Sequence, residues 1–152
     1  YAPVRNRLFI GNSNGAEEIA TTKDHAVGTR RGIRVRVHGT ERVAVCSRSH
    51  KNPETEKFLS DNRISRYVSI GSSLKFCLIA SGEADIYPRF GPTMEWDTAA
   101  GDAVLRAAGG LTTTFEGAPL SYGQRASEGV AGFANPNFVA FGGGTKPVFS
   151  MV

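Results

Sequence analysis

The chain has 152 residues, of which 40% are apolar and 21% charged, as expected of one folded domain of ordinary size. This composition excludes a disordered, collagen-like or coiled-coil chain. No apolar run approaches the roughly 20 residues that span a bilayer, so we expect no transmembrane segment.

The net charge of +4 is concentrated at the start of the chain. Residues 1–42 contain eight basic and four acidic side chains, whereas residues 43–152 contain ten of each. A basic segment is compatible with nucleic-acid binding. We favour a solvated sheet face, because Arg34, Arg36 and His38 alternate with apolar residues as in a half-exposed strand. A basic surface also suits an enzyme that attracts polyanionic small molecules.

The two cysteines, Cys46 and Cys77, both lie in apolar stretches. The sequence has no Cys-x-x-Cys motif and no Cys/His cluster, which argues against a structural zinc site. We expect two buried, reduced thiols, which are typical of a cytoplasmic protein, with a disulfide between them as the alternative.

The first forty residues predict a small antiparallel sheet. Residues 7–11 are largely apolar, as in a strand, and residues 12–15 (Asn-Ser-Asn-Gly) are typical of a tight turn. Residues 32–38 alternate in polarity and predict another strand, which ends at Gly39.

From residue 43 the pattern changes to alternating strands and helices. Residues 43–46 are wholly apolar, as in a strand buried on both faces. Asn52 and Pro53 suit the cap and first position of a helix that we extend to about Asp61. A strand is predicted next, over residues 65–70.

Two more helices continue the alternation. The second is capped by Ser72 or Ser73 and runs through Ala80, and the third begins at Asp97 or Thr98. One face of the third helix is predicted to carry Ala100, Ala103, Val104, Ala107 and Ala108. The remaining predicted strands are residues 84–87, 111–114, 130–133 and 138–141. Together these elements predict a layered α/β domain.

Residues 70–75, Ile-Gly-Ser-Ser-Leu-Lys, form the first strand-to-helix junction with chemical potential. The hydroxyls of Ser72 and Ser73, free amide groups and the Lys75 ammonium group suit a bound phosphate. An ordinary serine-capped helix with an exposed lysine is the alternative, and the pattern alone favours it.

The second junction contains Asp97, whose carboxylate would either cap a helix or bind a hard divalent cation. Spacing alone favours capping, since no second acidic side chain lies close by in a metal-binding pattern. We expect Glu95 and Asp102 at the surface. His50 follows a buried strand, where α/β sheets bind ligands, and Arg89 lies on a predicted loop that could direct it at phosphate. Solvated side chains are the alternative for both.

Residues 96–110, which begin Trp-Asp-Thr-Ala-Ala-Gly and end in Gly-Gly, resemble the second signature of the inositol monophosphatase superfamily. The resemblance extends to the CysQ-type 3'(2'),5'-bisphosphate nucleotidases through three further motifs in the same order. These are residues 47–50 (Ser-Arg-Ser-His), 71–77 (Gly-Ser-Ser-Leu-Lys-Phe-Cys) and 87–93 (Tyr-Pro-Arg-Phe-Gly-Pro-Thr).

The resemblance implies a lithium-sensitive Mg²⁺ phosphatase that converts adenosine 3',5'-bisphosphate to AMP and phosphate. Asp97 then corresponds to a ligand of one Mg²⁺ ion. Ser72, Lys75 and Arg89 would bind substrate phosphate, and His50 would line the nucleotide pocket. The resemblance also implies the sugar-phosphatase-like fold, in which Trp96 and Gly101 are structural.

The family's first motif, Asp-Pro-(Ile/Leu)-Asp-Gly-Thr, does not occur in the sequence. We therefore interpret residues 1–41 as antiparallel strands left from an N-terminal α+β domain, residues 42–142 as the C-terminal α/β phosphatase domain, and residues 143–152 as a tail. On this interpretation the chain alone has no phosphatase activity and binds Mg²⁺ weakly.

Two other functions stay open on the sequence. One is an inositol monophosphatase of the same superfamily, and the other is a non-catalytic nucleotide- or RNA-binding module. We expect no nucleic-acid partner, because the positive charge is not interleaved with aromatic side chains. Exposed strand edges could also support self-association.

Overall fold

The chain folds into two β-sheets and three α-helices, and the computed structural model describes residues 1–37, 41–47, 52–123, 126–144 and 147–148. A three-stranded antiparallel sheet contains, in spatial order, β1 (Arg7–Asn12), β2 (Gly15–Thr21) and β3 (Val27–Ile33). A five-stranded mixed sheet contains β4 (Val43–Cys46), β5 (Arg66–Ser69), β6 (Ile86–Arg89), β7 (Leu111–Thr114) and β8 (Phe138–Phe141). Its order is β5-β4-β6-β8-β7.

The helices form layers on both faces of the larger sheet. They are α1 (Pro53–Asp61), α2 (Leu74–Ala80) and α3 (Glu95–Ala107). Helices α2 and α3 lie between the two sheets, and α1 covers the opposite face of the larger sheet. Strand β8 shows both layers, because Phe138 packs in the α2–α3 core and Phe141 packs with Phe58 of α1. The predicted α/β class is confirmed.

Two glycines allow the close packing of the central layer. A Cβ on Gly101 of α3 would lie 2.8 Å from the Phe76 ring of α2. A Cβ on Gly11 of β1 would lie 2.8 Å from Val104 Cα. Both values are shorter than real Cβ contacts, so α3 approaches α2 and β1 only because these positions lack side chains.

Ion pairs connect the three-stranded sheet and its following segment to the larger sheet. Arg7 of β1 bonds to Glu83 through both terminal nitrogens. Arg36 donates to both carboxylate oxygens of Asp85, at 2.8 and 2.7 Å. Asp85 is 4% exposed and also accepts from the backbone N–H of Val43, at 2.6 Å. The Asp85 carboxylate therefore joins Arg36 to the start of β4.

The strand predicted at residues 32–38 is wrong, since β3 spans Val27–Ile33. The physical reason is the register: Ile33 pairs with Ala16, near the first residue of β2, so the ladder has no partner farther along. Val35 instead donates its N–H to Ala108 O at the end of α3. The predicted end of that strand, residues 38–40, lies outside the described residues.

Several predictions for the larger sheet are confirmed, including β4, β7, β8 and the bounds of α1. Asn52 caps α1 by accepting the Thr55 N–H at 2.9 Å. The strand predicted at residues 130–133 is wrong, because these residues belong to a 3-10 helix, Ala126–Phe133, that bends at Gly129 with φ of 71°. Both cysteines are buried, as predicted, and they do not form a disulfide with each other.

Helix α3 differs from its prediction at its start and on its buried face. It begins at Glu95, and Asp97 is its third residue. Ala100 and Ala103, which were predicted on the buried face, are exposed. The prediction failed because alanine occurs on both buried and exposed helix faces and so indicates neither. The prediction that Asp102 lies at the surface is wrong. Asp102 is 1% exposed, and its Oδ2 accepts from Arg106 Nε at 2.8 Å and from the Tyr122 hydroxyl at 3.0 Å.

The predicted tail makes tertiary contacts at two of its described residues. Gly143 forms an isolated parallel bridge with Val37. Asn62, which follows α1, accepts from Val148 N at 2.8 Å and donates to Val148 O at 3.0 Å. In the described part of the chain, no helix is both long and apolar enough to cross a membrane.

Candidate functional site

A cavity of about 340 Å³ opens where β4 and β6 end and α2 and α3 begin. Carboxyl ends of neighbouring parallel strands are the usual ligand site of α/β sheets, and β4 and β6 are parallel. Four of the five predicted site residues line it together: Ser72, Lys75, Arg89 and Asp97. The fifth, His50, lies outside the described residues.

Lys75 is a buried cation at the base of the cavity, with 3% of its surface exposed. Its Nζ donates to Ser72 O at 2.8 Å and lies 4.8 Å from the centroid of the Tyr87 ring. The carbonyl oxygen and the ring face both stabilise the ammonium group without neutralising it. Lys75 is therefore held in place and keeps its net charge.

The surroundings lower the affinity of Lys75 for its proton. Burial is the main cause, the charge of Arg89 adds to it, and together they lower the pKa of Lys75 to about 8. Burial raises the pKa of Tyr87 to about 12. At neutral pH the cavity therefore contains a protonated Lys75 and a neutral Tyr87.

Arg89 is the last residue of β6, so its predicted position on a loop is wrong. The strand reaches Arg89 through Pro88, which pairs with Val139 of β8. Pro88 is tolerated there because the ladder of β6 with β4 consists of the single pair Ala44–Ile86, so no β4 partner needs the missing N–H.

Arg89 lines the cavity and is 9% exposed as a residue. Nη1 donates to Ser47 Oγ at 3.3 Å and Nη2 donates to Pro92 O at 2.9 Å. Its Nε is buried and has no hydrogen-bond partner within the described residues. Neither Arg89 nor Lys75 forms an ion pair in this part of the chain. The cavity thus has two cations that are not ion-paired in the described chain, although the Asp97 carboxylate also lines it.

Ser72 has an unusual backbone conformation at the start of the second helix. Its φ of 64° lies in the left-handed region, which is uncommon for a residue other than glycine. Ser73, and not Ser72, directly precedes α2, and its side chain makes no capping hydrogen bond. The unusual backbone directs Ser72 O at Lys75 Nζ, so the predicted capping role is replaced by support of the lysine.

Asp97 is the carboxylate of the cavity lining. Its Oδ2 accepts from the backbone N–H of Met94 at 3.0 Å, so it caps α3 from the third position. Mg²⁺ prefers six oxygen ligands, usually from carboxylates, water and substrate phosphate. The described residues contain no cluster of three potential acidic, histidine or cysteine ligands. They therefore fit one ligand of a metal site and do not complete a site for several ions.

Sequence reasoning missed two residues that shape this cavity. Ser47 follows the buried strand β4 and bonds to Arg89, a position that the strand prediction could have indicated. Asn135 lies outside the cavity wall and donates to both Thr93 and Thr98, which line the cavity. No local sequence signal marks Asn135, because its contacts are tertiary.

Comparison with known proteins gives this cavity a family context. The model of the inositol monophosphatase family matches residues 1–137. The 3'(2'),5'-bisphosphate nucleotidase CysQ of Escherichia coli strain K12 is 44% identical over 138 residues, which are 91% of this chain and 51% of that protein. A protein of Rhizobium leguminosarum bv. phaseoli, described as uncharacterized and encoded in the pss 5' region, is 63% identical over 86 residues, 57% of this chain and 90% of that protein.

Solved structures agree with these relatives. The crystal structure of CysQ from Bacteroides thetaiotaomicron has a TM-score of 0.74 and 34% identity, and the match covers 93% of this chain and 56% of that one. Inositol monophosphatase from Anabaena sp. PCC 7120 shares the fold, with a TM-score of 0.65 at 24% identity, over 94% of this chain and 53% of that one.

The chain spans about half the length of the CysQ proteins that it matches. The family model covers nearly all of it, including both strand-to-helix junctions that form the cavity. The chain therefore belongs to the inositol monophosphatase family.

Proposed function

We propose that this chain supplies the α/β part of a Mg²⁺-dependent phosphatase that hydrolyses adenosine 3',5'-bisphosphate to AMP and phosphate. The observation that carries the proposal is the pair of buried cations, Lys75 and Arg89, which line one cavity and form no ion pair within the described chain. A phosphate group is an anion that matches both the ammonium and the guanidinium group. The names of the CysQ relatives support the nucleotide substrate.

Each residue contributes a different interaction with the proposed substrate. Lys75 attracts phosphate as a point charge, and Arg89 offers directed N–H groups, among them the unpartnered Nε. The Ser72 hydroxyl adds a neutral donor. We assign His50 to the lining of the nucleotide pocket on the family resemblance alone.

Asp97 would hold one Mg²⁺ ion, which neutralises phosphate charge and activates water when it is bound. A site with several metal ions needs more carboxylates than the described residues provide. For this reason we expect the 152-residue chain alone to bind phosphate compounds, to bind Mg²⁺ weakly and to lack turnover.

The experiment is an assay of phosphate release by the purified chain, with adenosine 3',5'-bisphosphate and Mg²⁺, together with calorimetric binding of the same nucleotide. We expect binding without turnover. Sustained Mg²⁺-dependent phosphate release would contradict the inactivity of the chain, and absence of any nucleotide binding would contradict the proposed substrate.

A longer protein that contains both this chain and the Asp-Pro-(Ile/Leu)-Asp-Gly-Thr motif tests substrate choice. Lys75→Ala and Arg89→Ala should raise KM for the bisphosphate far more than KM for a simple phosphate ester. Equal increases would argue against substrate-specific roles. Faster turnover of an inositol phosphate than of the bisphosphate would favour the inositol monophosphatase alternative.

Two further features belong to the proposal. The two buried cysteines, Cys46 and Cys77, which form no disulfide with each other, support a reducing compartment, namely the cytoplasm. All four residues of the edge strand β5 are exposed, so β5 is a candidate edge for self-association. A molar mass that rises with protein concentration in light scattering would support self-association.

A further inference from the structure

A short segment near the end of the chain crosses the turn that leads into α3. Asn135 donates its backbone N–H to Thr93 O at 2.8 Å. Ala134 and Met94 form an isolated antiparallel bridge beside it. The Phe133 ring lies 5.9 Å from the Trp96 ring, measured between centroids. The turn before α3 is thus supported by residues 133–135 as well as by its own hydrogen bonds.

The side chain of Asn135 adds two hydrogen bonds to the same turn. Its Nδ2 donates to Thr93 Oγ1 and to Thr98 Oγ1, both at 3.1 Å. Thr98 Oγ1 donates its own proton to Glu95 O at 3.2 Å, so it acts as an acceptor toward Asn135. These hydrogen bonds fix the orientation of the Asn135 amide. The Thr98 hydroxyl proton is already donated to Glu95 O, so the amide oxygen of Asn135 would find no donor if it faced Thr98.

We propose that Asn135 is a positioning residue of the cavity, which holds the Thr93–Thr98 turn so that Asp97 faces the cavity in which the phosphate compound binds. Thr93, Asp97 and Thr98 all line the cavity, and Asn135 bonds to Thr93, which precedes the start of α3, and to Thr98, which directly follows Asp97. The identity of the ligand rests on the proposed function, whereas the geometry of the turn does not.

Asn137 provides a matched comparison because it contacts the same loop through the opposite end of its amide. Its Oδ1 accepts the backbone N–H of Gly91 at 3.0 Å. Asn137→Asp therefore keeps the acceptor. Asn135→Asp introduces the same negative charge as Asn137→Asp, but it loses both donated hydrogen bonds.

The test compares Asn135→Asp with Asn137→Asp in the 152-residue chain. Amide hydrogen exchange of Met94, whose N–H is bound to Asp97, reports the turn directly. Calorimetry with adenosine 3',5'-bisphosphate and Mg²⁺ reports the cavity. Loss of two hydrogen bonds should speed Met94 exchange and weaken nucleotide affinity by about tenfold each. Asn137→Asp should change both by less than about twofold.

Values for Asn135→Asp within twofold of the unmodified chain would overturn the proposal, as would equal effects of the two variants. A lower Tm with unchanged Met94 exchange relative to neighbouring amides would indicate a merely structural role and also overturn it. Should Asn135→Asp fail to fold, Thr93→Val removes one of the two acceptors and should give about a threefold effect. If the unmodified chain binds no nucleotide, the proposed function fails, and Met94 exchange still decides the role of Asn135.

Discussion

The ammonium group of Lys75 and the guanidinium group of Arg89 line one cavity, and each donates a hydrogen bond to a backbone carbonyl oxygen close to it in the chain. Lys75 Nζ lies 2.8 Å from Ser72 O, and Arg89 Nη2 lies 2.9 Å from Pro92 O. The carbonyl groups fix both cations without removing their charge. Because like charges in a poorly solvated site repel, an anion that binds between them relieves a repulsion already present in the folded chain.

The first prediction concerns the pH dependence of anion binding. Lys75 has a pKa of about 8, so it loses its charge as the pH rises above that value. A phosphate monoester has a second pKa of about 6, so it stays doubly ionised between pH 7 and pH 9.5. We expect the affinity for adenosine 3',5'-bisphosphate to fall by about tenfold between pH 7 and pH 9.5, as the charge-assisted interaction is lost.

Calorimetry with Lys75→Met as the control checks this result, because the variant should bind weakly with little change over the same pH range. A pH-independent affinity of the unmodified chain would contradict the role of Lys75.

The opposite trend is expected for the stability of the folded chain. The pKa of Lys75 in the folded chain lies below its ordinary value of 10.5, so the unfolded chain binds more protons between these values. The contribution of Lys75 to the free energy of unfolding therefore rises with pH from about 8 to 10.5.

A second prediction separates the backbone strain of Ser72 from the function of its hydroxyl. Ser72→Gly relieves a left-handed conformation that costs about 1 kcal/mol. It also raises the conformational entropy of the unfolded chain, which lowers stability by a similar free energy. The free energy of unfolding should therefore change by less than about 1 kcal/mol, while phosphate affinity falls about threefold with the lost hydroxyl. Urea unfolding and calorimetry measure both quantities. A variant with full affinity would show that the hydroxyl does not contact phosphate.

Local signals predicted those elements whose ends are encoded locally. The start of α1 was predictable because Asn52 accepts the Thr55 N–H as its cap and Pro53 occupies its first position. Strand β2 was not predicted. Its polar residue Glu18 is paired with Arg7 of β1 and Arg31 of β3, so a charged position became compatible with a sheet interior. Such pairing depends on neighbouring strands that periodicity cannot identify.

The same distinction applies to the candidate site. The local pattern left Lys75 and Arg89 open to a solvated interpretation, and the family resemblance assigned both to the site; the fold brings both to one cavity. Asn135 was not predicted, since its partner Thr98 lies 37 residues away along the chain. Asp102 was assigned to the surface by its charge, whereas Arg106 and Tyr122 bind its carboxylate in the interior.

A third prediction tests the connection between the two sheets. Asp85→Ala removes the buried carboxylate that binds Arg36 and the Val43 N–H, and it should lower the free energy of unfolding by about 2 to 3 kcal/mol. Glu41→Ala is the control, because the Glu41–Arg66 pair is 3.4 Å apart and mostly exposed. The control should cost less than about 0.5 kcal/mol. Equal losses in urea unfolding would contradict the proposed importance of Asp85.

The last prediction concerns the contact of α3 with α2, which sets the position of the cavity wall. Gly101→Ala gains about 1 kcal/mol of helix propensity, but its Cβ would lie 2.8 Å from the Phe76 ring. Phe76 is 1% exposed and packed against Tyr87 and Phe138, so it cannot move aside without disturbing the core. Overpacking should outweigh the gain and lower the free energy of unfolding by about 1 to 2 kcal/mol. Gly32→Ala is the matched control, since its Cβ would meet nothing within 4 Å, and it should change stability by less than about 0.5 kcal/mol. A Gly101→Ala chain as stable as Gly32→Ala in urea would show that α3 can move away from α2, and that the close approach does not fix the cavity.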